Sequence, residues 1–191
     1  MSPRIEPLSG MRAPLWLRLL NPLVRRFYGR ELLPLNVMAH SPRVILPYLF
    51  MSGFVSGGSK AEQAIHALVA HRVNEINGCS WCLDFGSSQA LGLGVAQDKL
   101  DAVERWATSP LFSSAERAAL AFGEAVAQTP PYVSDEVFQE LRAHFSERQV
   151  IELLSATCAH TFFNRFNAPL GIESQGFCAI GALGAKGARA A

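Results

Sequence analysis

Apolar residues recur at intervals of three and four along most of the chain, the spacing that places them on one face of an α-helix. The clearest stripe leads up to residue 76 and comprises Ala61, Ala64, Ile65, Leu68, Val69, Val73 and Ile76. No run of alternating apolar and polar residues, which would indicate a β-strand, competes with this pattern. The chain is therefore predicted to be all-α.

Capping residues predict where several of these helices begin. Two patterns, Ser59 to Glu62 and Ser113 to Glu116, fit the capping box, in which a hydroxyl and a carboxylate bond free N–H groups at the helix start. Ser134 and Ser146 are further N-cap candidates, and Ser41-Pro42 joins a capping hydroxyl to a proline at the first helical position. Together these signals predict helices at about 43–54, 59–76, 79–92, 97–106, 115–127, 135–145 and 146–166.

The N-terminal segment 15–33 mixes leucine and aromatic residues with arginines at roughly helical spacing. It predicts a basic amphipathic helix, interrupted at Pro22 and ended by Pro34. One interpretation is a helix that lies on a membrane surface; the other, which we favour, is an arm that packs on its own core or on a neighbouring subunit. The predicted organisation is a basic arm at 1–33, an all-α domain at 34–180 and a flexible Gly/Ala tail at 181–191.

The composition is apolar for a monomer, with 49% hydrophobic and 17% charged residues. The segment 43–54 is apolar almost all round and is therefore expected to be buried. A homo-oligomer that covers additional helix faces would account for both features. The net charge of +1 argues against nucleic acid as a partner.

The N-terminal sequence carries no evident secretory signal, because arginines and prolines interrupt its first 25 residues. No stretch is long and apolar enough to predict stable membrane insertion. We therefore expect a cytoplasmic protein, in which a C-x-x-C pair is more often catalytic or metal-binding than a permanent cross-link.

Cys79 and Cys82 form that C-x-x-C pair. Asn77-Gly78 just before it is typical of a helix end, so the pair is expected to open the next helix. Free N–H groups and the positive end of the helix dipole stabilise a thiolate there and lower its pKa. The pattern predicts a reactive dithiol that can close to a disulfide.

The pair is open to two other interpretations. The cysteines could be small apolar core residues. They could also bind zinc, which would require two more ligands at suitable spacing, and Cys158, His160 and Cys178 do not provide that spacing. Neither a metal nor a cofactor is predicted.

Three segments carry a family resemblance: RVNEINGCSWCLD at 72–84, FSSAERAALA at 112–121 and NRFNAPLG at 164–171. Together they resemble the carboxymuconolactone decarboxylase and AhpD-type alkylhydroperoxidase superfamily, over roughly Pro34 to Phe177. The resemblance implies an AhpD-like, oligomer-forming domain of about seven to nine helices. It also implies redox chemistry at the cysteine pair.

The resemblance also implies where an acid–base relay should lie. Peroxidase-type members have a histidine four residues after the second cysteine and a glutamate twelve residues before the first; this chain has Gly86 and Ala67 there. His71 and Glu75 lie one and two helical turns after Ala67, on the same helix face. They are the candidate base and its orienting partner, although Glu75 could equally pair with Arg72.

The predicted catalytic residues are therefore Cys79, Cys82, His71 and Glu75. The predicted function is a thiol-dependent oxidoreductase that reduces a peroxide or a disulfide and is itself reduced by a thiol protein. The alternatives are a lyase acting on a small carboxylate, which rests on family analogy alone, and a non-catalytic oligomeric stress or binding protein.

Overall fold

The computed structural model describes residues 3–54 and 58–180, and within them every regular element is helical. The helices are α1 (Leu15–Tyr28), α2 (Leu33–Met38), α3 (Pro42–Phe54), α4 (Lys60–Ile76), α5 (Ser80–Gly92), α6 (Gln97–Ala102), α7 (Ser114–Ala127), α8 (Asp135–His144), α9 (Glu147–Asn167) and the single turn α10 (Phe177–Ile180). The all-α prediction is confirmed. The predicted tail at 181–191 lies outside the described residues.

The capping residues begin their helices as predicted. Ser59, Ser113 and Ser146 each form a complete capping box, for α4, α7 and α9 respectively. Ser134 caps α8 by accepting a hydrogen bond from the backbone N–H of Val137. Local side-chain chemistry therefore fixes the starts of the helices that form the core.

The two prolines of the N-terminal segment act differently from the prediction. Pro22 lies inside α1 without ending it, and the helix ends at Gly29, whose φ of 78° is left-handed. Pro34 does not end a helix but lies in the first turn of α2. A first-turn residue needs no N–H donor, so proline is well tolerated there.

The core is built around α4, which packs against α5, α7 and α9. Helices α4 and α7 approach each other closely at Gly123, where an added Cβ would lie 2.4 Å from Cγ1 of Val69. Any side chain at this helix crossing would therefore force Val69 to move. The packing of α4 also holds its C-terminal end, and with it the cysteine pair, in a fixed position.

Helix α1 packs on the chain's own core. Leu17 and Val24 on its inner face join a buried cluster with Leu35, Met38 and Ile45, to which Phe166 of α9 also contributes. The opposite face of α1 exposes a stripe of apolar residues, Leu15, Leu19, Leu23 and Phe27. No described helix is both long and apolar enough to cross a membrane.

The expectation that α3 is buried is wrong for the single chain. Ile45 packs inward, but Leu46 and Phe50 are 73% and 78% exposed. A helix that is apolar on all sides is expected to be covered on all sides. The sequence does not show whether its own chain or another molecule covers each side.

Candidate active site

The cysteine pair lies at the junction of α4 and α5. Asn77 ends α4, Gly78 turns the chain with a φ of 64°, and Cys79 is the N-cap of α5. Sγ of Cys79 accepts a hydrogen bond from the backbone N–H of Cys82, 3.3 Å away. The two sulfurs are joined as a disulfide, whereas Cys158 and Cys178 are free and exposed. The predicted position of the pair at a helix start is confirmed.

The two sulfurs differ in their access to other molecules. Cys79 is 0% exposed and Cys82 is 6% exposed. Cys82 also lines a cavity of about 290 Å³, which Cys79 does not. A small molecule in this cavity would therefore meet Cys82 first.

Two asparagine side chains donate hydrogen bonds to Cys82, and two further asparagines extend the network from one of them. Nδ2 of Asn74 donates to the carbonyl oxygen of Cys82 at 3.1 Å, and Oδ1 of Asn74 accepts from Asn164 at 2.7 Å. Oδ1 of Asn164 in turn accepts from Asn77 at 3.1 Å. Nδ2 of Asn167 donates to Sγ of Cys82 at 3.5 Å. These amides were not among the predicted site residues, although all four lie in the segments at 72–84 and 164–171 that carry the family resemblance.

The cavity beside Cys82 is enclosed by α1, α2, α3, α5 and α9. Its wall is rich in aromatic side chains, namely Tyr28, Tyr48, Trp81, Phe85 and Phe163. Trp81 and Phe85 stack with their ring centroids 4.8 Å apart. None of the described residues that line the cavity is Asp, Glu, Lys or Arg. The wall therefore offers no counter-charge to an ionised ligand.

His160 and Tyr48 of the wall are also neutral near pH 7. Burial lowers the pKa of His160 to about 4, so the imidazole is uncharged. Burial raises the pKa of Tyr48 to about 12, although a hydrogen bond with Asn167 opposes this rise. The cavity is thus apolar and aromatic, with a few neutral polar groups.

His71 and Glu75 lie in a different polar cluster. Nδ1 of His71 is 3.0 Å from Oγ of Ser87, and Nε2 is 3.8 Å from a carboxylate oxygen of Glu75. Glu75 also accepts a hydrogen bond from Arg72 at 3.0 Å, which is the alternative pairing that the sequence allowed. Burial lowers the pKa of His71 to about 4 and raises that of Glu75. The hydrogen bond of His71 goes to Ser87 and not to a sulfur, so its role as a base stays a prediction.

Gly86 and Ala67 occupy distinct surroundings. Gly86 lines the cavity one helical turn after Cys82, and a Cβ there would lie 3.2 Å from Nδ2 of Asn74. Ala67 packs against the main hydrophobic core. The absence of a side chain at Gly86 leaves room for both the cavity and the asparagine network.

Gln175 fixes the aromatic wall from the C-terminal side. Its Oε1 accepts hydrogen bonds from Nε1 of Trp81 at 2.8 Å and from the backbone N–H of Leu33 at 2.9 Å. Asp84 positions this segment by accepting hydrogen bonds from Ser174 and from the backbone N–H of Gln175. Trp81 is therefore held by α2 and by the segment before α10.

Within the described residues, no three His, Cys, Asp or Glu side chains cluster as a metal site would require.

Comparisons with known proteins agree with this geometry. The sequence model of the Carboxymuconolactone decarboxylase family matches residues 50–125, which include both cysteines. The uncharacterized protein YnjA of Escherichia coli strain K12 is 34% identical over 177 residues, covering 92% of this chain and 96% of YnjA.

Solved structures share the fold. The protein of unknown function ATU0492 from Agrobacterium tumefaciens, whose proposed identity is the antioxidant defence protein AhpD, is 27% identical with a TM-score of 0.67, covering 73% of this chain and 95% of its own. The debrominase Bmp8, in a cysteine-to-alanine variant bound to 2,3,4-tribromopyrrole, is 24% identical with a TM-score of 0.77. The match covers 91% of this chain and 92% of Bmp8. From its sequence relatives, its fold and the position of its cysteine pair, this chain belongs to the carboxymuconolactone decarboxylase family, in its AhpD-like superfamily.

Proposed function

We propose that the protein is a dithiol oxidoreductase in which Cys82 attacks the substrate and Cys79 resolves the product. The observation that carries this proposal is the asymmetry of the pair: Cys82 lines the cavity, whereas Cys79 is fully buried behind it. The disulfide between them is the oxidised state of such a cycle.

With a peroxide as substrate, the thiolate of Cys82 attacks the terminal oxygen of the O–O bond. An S–O bond forms, the O–O bond breaks, and the leaving alkoxide takes a proton to become an alcohol. The thiolate of Cys79 then attacks Sγ of the resulting sulfenic acid, and hydroxide leaves as water after taking a proton. A disulfide substrate would instead form a mixed disulfide with Cys82, which Cys79 resolves. An external thiol protein would return the pair to the dithiol.

Both sulfurs have donors that favour their thiolate forms. In the reduced protein, Cys79 would be stabilised by the backbone N–H of Cys82 and by the start of α5. Cys82 would be stabilised by Nδ2 of Asn167. We retain His71 as the proposed base, with Glu75 as its proposed partner 3.8 Å away. Its imidazole is unprotonated near pH 7, and its lowered pKa means that it would hold a thiol proton only briefly.

The cavity wall argues against the lyase alternative, since none of its described residues is a lysine or an arginine that could bind a carboxylate. The debrominase Bmp8 illustrates a different activity on the same fold, but at 24% identity the likeness supports the fold alone.

Mass spectrometry of a variant with Cys158→Ser and Cys178→Ser tests the proposal, because only the pair can then react. We expect cumene hydroperoxide to remove two hydrogen atoms from the peptide that contains Cys79 and Cys82, and dithiothreitol to restore them. The same variant with Cys82→Ser added is the control and should form no disulfide. A pair that stays fully reduced under excess peroxide would refute peroxide reduction, and one that also stays reduced under excess oxidised glutathione would refute the oxidoreductase.

A further inference from the structure

The cavity has two chemically different ends, and the helix geometry separates them. Along α5, Gln89 lies seven residues after Cys82, and both line the cavity. Along α9, His160 lies seven residues before Asn167, whose amide contacts Sγ of Cys82. Seven residues of α-helix span about 10 Å. Gln89 and His160 are therefore both about two turns from the sulfur.

The polar groups at the remote end are available to a ligand. Among the described residues, neither the imidazole of His160 nor the amide of Gln89 makes a hydrogen bond to the protein. The ring of His160 lies edge to face against Phe163. A neutral imidazole and an amide can each donate and accept a hydrogen bond. Together they suit one uncharged group such as a hydroxyl or an N–H.

The space between the two ends suits an aromatic body. Its volume of about 290 Å³ is roughly twice the ~150 Å³ of a cavity that admits benzene. Tyr28, Trp81 and Phe85 line this part of the wall and can contact a flat ring by stacking or edge to face. Leu49 is 46% exposed and also lines the cavity, so it marks a side on which the cavity meets solvent.

We propose that the cavity binds an uncharged aromatic molecule of about two fused rings, with its polar group held by Gln89 and His160 and its other end at Cys82. This names the substrate class for the proposed function and rests on that function for the reaction. The binding itself requires no turnover, so it can be measured on the oxidised protein. An ionised ligand of the same shape is disfavoured because the wall carries no opposite charge.

Equilibrium dialysis with 2-naphthol, a neutral two-ring alcohol, tests the proposal. We expect saturable binding of one molecule per chain to the disulfide form. Naphthalene, which lacks the hydroxyl, should bind about fivefold more weakly, as expected for one neutral hydrogen bond. 2-Naphthoate, which has the same two rings but is charged, should bind at least about tenfold more weakly.

Variants locate the binding. Gln89→Ala should weaken 2-naphthol binding about fivefold and leave naphthalene binding unchanged. Gln139→Ala, at an exposed glutamine of α8, is the matched control and should change the binding of neither ligand. Leu49→Trp should fill part of the cavity and weaken both ligands about tenfold or more. If Leu49→Trp does not fold, the comparison of Gln89→Ala with Gln139→Ala still decides whether Gln89 binds the hydroxyl of 2-naphthol.

Absence of saturable 2-naphthol binding, equal binding of 2-naphthoate, or indifference to Gln89→Ala would each overturn the proposal. These results are independent of the peroxide experiment. Binding of 2-naphthol by a protein whose cysteines are inert would uphold the cavity as a binding site and refute the oxidoreductase. Active cysteines without 2-naphthol binding would uphold the oxidoreductase and refute the proposed ligand class.

Discussion

The side-chain amide of Asn167 donates a hydrogen bond to Sγ of Cys82 across 3.5 Å, from α9 to α5. The two residues are 85 positions apart in the sequence. In the reduced protein this donor would face the thiolate proposed to attack substrate. A hydrogen bond to the charged form of a group stabilises that form and lowers the pKa.

Removing this donor should therefore raise the pKa of Cys82. We expect Asn167→Ala to raise it by about one unit, since one hydrogen bond to a charged group contributes about 1.5 kcal/mol and one unit corresponds to about 1.4 kcal/mol. The rate of iodoacetamide labelling of the reduced protein as a function of pH measures the shift. Asn21→Ala is the control, because Asn21 is also buried but bonds to Asn36 instead. Equal labelling curves for both variants would remove Asn167 from the site.

The asymmetry of the pair predicts which sulfur carries the first intermediate. In a protein with Cys158→Ser and Cys178→Ser, addition of Cys79→Ser should leave a sulfenic acid on Cys82 that dimedone traps after peroxide treatment. Addition of Cys82→Ser instead should yield little or no adduct, because Cys79 is fully buried. An adduct on Cys79 with none on Cys82 would reverse the assigned roles.

The proposed base can be tested against a second histidine on the same helix. We expect His71→Ala to slow disulfide formation by roughly ten- to ten-thousand-fold, the usual effect of losing a general base. His66→Ala is the control, because His66 is also on α4 and its pKa is likewise lowered by burial. Circular dichroism should verify that both variants are folded. If the two variants react at the rate of the parent protein, His71 has only its structural contact with Ser87.

Burial of His160 predicts a dependence of stability on acid. Its pKa is about 4 in the folded protein and about 6.5 in the unfolded chain, so between these values the unfolded chain binds more protons. The contribution of His160 to the free energy of unfolding should therefore be constant above about pH 6.5 and fall as the pH is lowered to 4. His160→Gln should reduce this fall by up to about 3 kcal/mol, as measured by urea denaturation. An unchanged pH profile in His160→Gln would contradict the predicted titration.

The exposed face of α3 predicts association of this chain with itself. Phe50 is 78% exposed, and a second copy that covers α3 would bury it. We expect light scattering at micromolar concentration to give a mass above the 20.8 kDa of one chain, and Phe50→Glu to lower it. Tyr132→Glu is the control and should not lower the mass, because Tyr132 lies outside α3 although it is 75% exposed. A parent protein that scatters as the monomer would disprove the oligomer.

Helix starts and the position of the cysteine pair could be predicted from sequence because they depend on neighbours along the chain. Ser59 and Ser113 bond residues three positions away, and Gly78 turns the chain just before Cys79. A pattern of four or five residues contains all the information these features need.

The cavity and the asparagine network could not be predicted because they depend on contacts between distant segments. The bond between Asn74 and Asn164 joins α4 to α9, and nothing in either segment alone identifies the other as its partner. The exposure of Phe50 was missed for a related reason, since hydrophobicity does not reveal what covers a helix. The position of Pro22 inside α1 shows that a proline at an exposed helix position does not always end the helix.

The sulfur proposed to attack substrate and most of the surface that surrounds it come from different parts of the chain. Cys82 and the α5 wall lie within the segment 50–125 that matches the family, whereas α1, α2 and α9 lie outside it. Substitutions at Val24, Met38 or Phe163 can therefore reshape the cavity wall without changing the start of α5, which is proposed to activate the sulfur. Selectivity and reactivity can in this way be altered separately, and an engineered change of substrate should begin with the wall.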